Sequence, residues 1–202
     1  MNPLTSVKGS ITLAFVLAAI VSVWLTLLAG GSIGVNAPQV GRWLHIVSGV
    51  MWIGLLYYFN VVQVPGLAAA AADKGGPGGA GISKYIAPRA LFWFRWAAVV
   101  TWVTGAYYLL AGYGGAKALH SAFMLQEGFR VIGVGAWLGT IMLFNVWVFI
   151  WPNQKKVLGL VQATDEEKAK ARTTALYASR TNFILSVPML LCMGGQSHGL
   201  PF

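Results

Sequence analysis

Five stretches of this chain are too long and too uniformly apolar to be core segments of a water-soluble domain, and they constrain its fold more than any other feature. They cover residues 11–29, 43–64, 91–111, 131–151 and 183–196, with soft ends. A helix rises ~1.5 Å per residue and the hydrocarbon of a bilayer is ~30 Å thick, so about twenty residues cross it. The first four stretches reach that length. The fifth loses its apolar character near Met193 and carries Pro188, so it is expected to be kinked, or to span only where Gly194 to His198 prolong the helix. With 57% hydrophobic and 9% charged residues, the expectation is an all-α integral membrane bundle of five transmembrane helices, a single domain over residues 1–202.

Lysine and arginine orient this bundle. With the N-terminus inside, Lys8, the loop with Lys74, Lys84 and Arg89, and the loop with Lys155, Lys156, Lys168, Lys170, Arg172 and Arg180 are cytoplasmic, and Arg95 snorkels to the same side. Arg42, Lys117 and Arg130 stay outside, an eleven-to-three split of the 14 basic residues. The net charge of +9 is then explained by topology and anionic lipid, which argues against a nucleic-acid partner. The apolar part of the first stretch exceeds the ~7–15 residues of a signal-peptide core and reads as a retained helix. A single cysteine, Cys192, precludes an internal disulfide, and no Cys-x-x-Cys-His stretch is present for covalent haem attachment. Residues 66–90 read as an Ala- and Gly-rich linker, whereas Thr164 and Glu167 fit a capping box that opens a surface helix running toward the fifth stretch.

The three histidines, His45, His120 and His198, all fall on the outer side. Steps of three and four residues from His45 reach Gly49, Trp52, Leu56 and Asn60, so these share one helix face. An imidazole with a glycine one turn away suits a b-type haem, because the histidine supplies an axial ligand and the missing side chain lets the porphyrin approach the backbone. The alternative is that His45 bonds a neighbouring helix and Gly49 is a packing notch. Gly135 and Gly139 form a small-xxx-small pair that reads as a helix-packing site, and Thr101, Thr104 and Gly105 invite the same reading. Met189, Cys192, Met193 and His198 cluster near the end of the fifth stretch, where soft sulfur and imidazole would suit copper(I), a minor alternative. Asn60, Gln63 and Asn145 are expected to bond across helices. No Asp or Glu lies in any of the five stretches, which argues against a carboxylate-driven pump or transporter.

The segments Arg42-Trp43-Leu44-His45, Trp52-Ile53-Gly54, Gly135 to Met142, Asn145-Val146 and Pro152 to Lys156, with Ser186 to Leu190 and Ser197-His198, together resemble the membrane domain of the bacterial membrane-bound urate oxidases. The resemblance runs in order from Arg42 to His198 and is most specific between Gly135 and Lys156. It implies a helical domain of the bacterial inner membrane that works with a c-type cytochrome domain in the oxidation of urate toward 5-hydroxyisourate. The chain departs from the pattern in three ways: it is shorter in the middle, it carries no cytochrome domain, and Gly133 stands where a histidine is expected.

The resulting expectation is a redox protein that holds haem b near the periplasmic face and exchanges electrons with a cytochrome partner. The cofactor site comprises His45, His198, Gly49 and Trp52, with His120 a further candidate metal ligand. The opposing expectation is a non-catalytic subunit of a larger membrane respiratory or oxidase complex, or a homo-oligomer. If the chain is an enzyme, it is an oxidoreductase of the urate oxidase type that does not act alone.

Overall fold

In the computed structural model, residues 2–201 are described. Their contacts divide the chain into two units, residues 1–36 and 37–202. The first unit is a short 3-10 turn, Pro3–Thr5, followed by α1, Val7–Leu28. Ser6 caps α1 by accepting from the Gly9 N–H at 3.0 Å. Isoleucine, leucine, valine and tryptophan occur all round α1, and none of its residues is buried.

The second unit is built from seven further α-helices. These are α2 (Ala37–Tyr57), α3 (Val64–Ala72), α4 (Ala87–Gly112), α5 (Ala116–Phe123), α6 (Arg130–Phe144), α7 (Trp151–Val157) and α8 (Asp165–His198). Single π-helical segments, Tyr58–Gln63 and Asn145–Ile150, join α2 to α3 and α6 to α7, and a third, Ile82–Ile86, precedes α4. Each π segment ends two residues before a proline: Pro65, Pro88 and Pro152. Proline lacks an N–H and its ring crowds the carbonyl four residues back. Those carbonyls belong to Val61, Lys84 and Val148, all inside the π segments, so the wider turn absorbs a clash that would otherwise break the helix.

The helices are accordingly longer than the sequence suggests. Residues Ala37–Ala72 form one continuous rod, so the linker expected over residues 66–90 is helical at both ends. The alanine run at 68–72 explains this, since alanine is the strongest helix former. The expected surface helix and fifth stretch are likewise one helix, α8, of 34 residues. It opens with the capping box of Thr164 and Glu167, runs through Pro188 and includes Gly194 to His198, so the fifth stretch is not short. Among the described residues, four helices are long and apolar enough to cross a membrane: Val7–Leu28, Ala37–Ala72, Arg130–Val157 and Asp165–His198. The third expected stretch lies in α4, whose 26 residues give it the length. Arg95 and its tyrosines, threonines and tryptophans keep it below that apolarity.

Within the second unit α2 packs chiefly on α4 and α6 on α8, while α4 also meets α6 and α2 meets α8. One end of this four-helix arrangement is filled by Leu56, Phe59, Leu91, Phe94, Met142, Val146 and Ile150. Polar side chains join the helices from inside, while Val50, Val103, Ile184 and Val187 lie exposed on the outside. Asn182 and Ser186 are 0% exposed. Asn182 donates to the Met142 carbonyl and accepts from Asn145 Nδ2, both at 2.9 Å, and Asn60 Nδ2 donates to the Leu56 carbonyl and to Ser179 Oγ, also at 2.9 Å. Both asparagine contacts serve a carbonyl just before a π segment, where the α ladder changes register. Gln63 Oε1 and Asn60 Oδ1 are buried without a partner.

Asn182→Ala would leave the buried Asn145 side-chain amide without its acceptor and take one of two donors from the Met142 carbonyl, which keeps the Asn145 backbone N–H. It should cost about 1–3 kcal/mol, read as reduced resistance to SDS unfolding; an unchanged transition would contradict this account of the interior.

Candidate functional site

The other end of the four-helix arrangement is hollow. A cavity of about 680 Å³ lies there, lined from α2, α4, α6 and α8. Its lining includes several small residues: Gly49 on α2, Gly105 and Ala106 on α4, Ala136 and Gly139 on α6. Along α2 it reaches from Arg42 to Tyr57, about 22 Å at 1.5 Å per residue. Its size falls in the range of ~300–1,000 Å³ typical of cofactor sites.

His45 on that wall is held by a hydrogen bond to the facing helix. Its Nδ1 lies 2.7 Å from the Thr101 carbonyl oxygen on α4. A carbonyl only accepts, so Nδ1 carries the proton and donates, and in the neutral ring Nε2 is then a bare lone pair. Metal-binding histidines are fixed in this way, with one nitrogen tied to a carbonyl and the other free to ligate. The approach depends on Gly105, where a Cβ would stand 2.8 Å from His45 Nδ1 and Cε1. Thr101 is itself anchored, its hydroxyl donating to the Ala97 carbonyl at 2.7 Å and meeting the Ser48 hydroxyl at 3.0 Å. Gly49 lines the cavity, and a Cβ there would touch only the Thr101 methyl at 3.7 Å. Trp52 lines it too, 2% exposed, and its indole N–H has no hydrogen-bond partner.

His198, the last residue of α8, lines the same cavity from its exposed end. Gln196 secures that turn: its Oε1 accepts from the Ile132 N–H at 3.0 Å and its Nε2 donates to the Gly128 carbonyl at 2.9 Å. His45 and His198 thus share one cavity. His120 does not. It lies on α5 in a separate depression with Lys117, Ser121 and Gln126.

The glycines of α6 divide between two roles. Gly135 is a packing notch, where a Cβ would stand 3.0 Å from Cys192 Cβ on α8. Gly139 lines the cavity instead, with no atom within 4 Å of a Cβ placed there. At Gly133 a Cβ would run into the Ala122 carbonyl of α5, so a histidine at that position has no room. Met189 and Met193 line the cavity, whereas Cys192 sits beside Gly135. Among the described residues, no three of His, Cys, Asp and Glu gather into a metal-ligating group.

Thr101, Gly105 and Arg42 line the site as well, although by sequence Thr101 and Gly105 read as helix packing and Arg42 as an outer-side charge. The available signal was the Thr101-to-Gly105 spacing of four, which puts a carbonyl and a gap on one face of α4, as His45 and Gly49 share one face of α2.

The fold and site define a helical bundle with an apolar, imidazole-bearing cavity at one end. The model of the family described as urate oxidase N-terminal matches residues 118–202. That similarity takes in α5 to α8, and with them Gly135, Gly139 and His198, but not His45, Gly49 or Trp52. No curated protein and no solved structure matches the chain.

The glycine geometry has a measurable consequence. Gly105→Ala must push the His45 ring away and should cost about 1–3 kcal/mol of stability. Gly139→Ala meets open space in a helix and should be neutral or gain up to about 1 kcal/mol. Thermal unfolding in detergent checks both; equal losses would contradict the placement of the cavity.

Proposed function

We propose that the chain is a bacterial inner-membrane redox protein related to the urate oxidases. In this reading it holds a b-type haem near the periplasmic face through His45 and exchanges electrons with a cytochrome partner. The eleven-to-three distribution of basic residues supports an orientation with the hollow end periplasmic and the N-terminus cytoplasmic. The observation that carries the cofactor assignment is the His45 Nδ1–H to Thr101 carbonyl bond at the wall of an apolar cavity.

The donor set favours a porphyrin over a bare ion. The described residues gather no third ligand, and a porphyrin brings its own nitrogens and asks the protein only for axial ones. When bound, haem supplies one-electron chemistry. His45 would offer Nε2, Thr101 would hold the ring and raise its basicity, and Gly105 would keep α4 clear of the imidazole. Trp52, Ile53 and Met189 would exclude water and lower the local polarity. His198, from the exposed end, is the candidate second ligand. No carboxylate lines the cavity to take a proton from a substrate, so urate oxidation is assigned to an assembly and not to this chain alone.

The second reading is a non-catalytic subunit of a larger complex. A visible spectrum separates the two. Purified protein supplied with haem should develop a Soret band. His45→Ala should weaken binding by more than the ~10–100-fold that losing a group behind a ligand costs. No band with the wild type, or equal binding by His45→Ala, would overturn the haem assignment.

A further inference from the structure

Arg42 stands one turn before His45 on α2, about 4.5 Å along the same face, and lines the same cavity. It is the sole Lys or Arg on that wall, and none of the chain's five Asp and Glu residues lines it. Among the described residues Arg42 makes no ion pair, the one such pair being Lys168 with Asp165 at the start of α8. Its guanidinium lies 5.9 Å from the centroid of the Tyr108 ring, which itself meets Tyr113 edge-on at 5.4 Å. Tyr108 and Tyr113 both line the cavity beside it. An uncompensated cation at the rim of a largely apolar chamber selects a particular ligand shape: an apolar body with an anionic end.

We propose that Arg42 is the carboxylate anchor of the cofactor site, meeting the acidic edge of the porphyrin that His45 ligates. This rests on the haem reading above. It adds the recognition of the carboxylates, the part of the ligand that His45 does not touch. A guanidinium suits that task because its planar fork matches a carboxylate with two hydrogen bonds, whereas an ammonium offers only a point charge.

The test compares haem with haem dimethyl ester, in which the carboxylates are capped, by absorbance titration of the detergent-solubilised protein. Arg42→Gln should weaken haem binding about tenfold or more and leave binding of the ester unchanged, while Arg42→Lys should recover part of the loss. Raised ionic strength should weaken haem binding by the wild type and leave Arg42→Gln nearly indifferent. If Arg42→Gln loses haem and ester equally, the arginine acts on the fold alone and the inference falls while the haem reading stands. The same holds if the variant loses neither. If the wild type binds neither porphyrin, the haem reading itself fails and takes the anchor with it.

Discussion

The hydrogen bond from His45 to the Thr101 carbonyl crosses the contact between α2 and α4, and the character of the hollow end depends on it. It requires that α4 come close, which Gly105 permits, and that α2 present His45 inward, which its three-and-four spacing with Gly49 and Trp52 ensures. A carbonyl partner also makes a chemical choice. It forces the proton onto Nδ1 and leaves Nε2 as the reactive atom, so a residue that the sequence offers only as a histidine becomes an oriented Lewis base.

The two ends of the bundle differ because the side chains facing inward differ in size. Toward Phe59, Phe94 and Ile150 the space is filled with aromatic and branched residues. Toward Gly105, Ala136 and Gly139 the walls include residues with little or no side chain, and space remains between them and the larger lining residues such as Trp52 and Met189. The filled end and its asparagine bridges fix the helices, so the glycines of the other end need not collapse. The exposed surface is apolar and the interior carries the amides, the arrangement expected where lipid surrounds a bundle and interhelical hydrogen bonds hold it.

The helices were legible in the sequence because apolar run length survives any packing arrangement. Their joints were less so. The π segments before Pro65, Pro88 and Pro152 turn apparent helix breaks into continuous rods, and the sequence alone shows only the prolines. His45, Gly49 and Trp52 could be grouped by periodicity because they share one helix. Arg42 lies one turn before His45 on that same face and falls into the same grouping, whereas Thr101 and Gly105 could not be joined to it, since their role arises from the facing of α2 to α4. The two glycines at 135 and 139 illustrate the limit most clearly. They share a spacing that signals packing, but α8 covers one and empty space covers the other.

The similarity of residues 118–202 to the urate oxidase N-terminal family covers the α6 and α8 walls of the cavity, while His45 and its support come from the preceding part of the chain. The account therefore depends on His45 more than on any residue within the matched region. The most direct measurement is nitrogen NMR of the protein with isotope-labelled histidine in detergent, with the His45 signals assigned by His45→Gln. The expected result is a neutral imidazole protonated at Nδ1 with a bare Nε2, whose resonance alone shifts strongly when haem is added. An Nε2-protonated ring, or a rapidly exchanging mixture of tautomers untouched by haem, would contradict it.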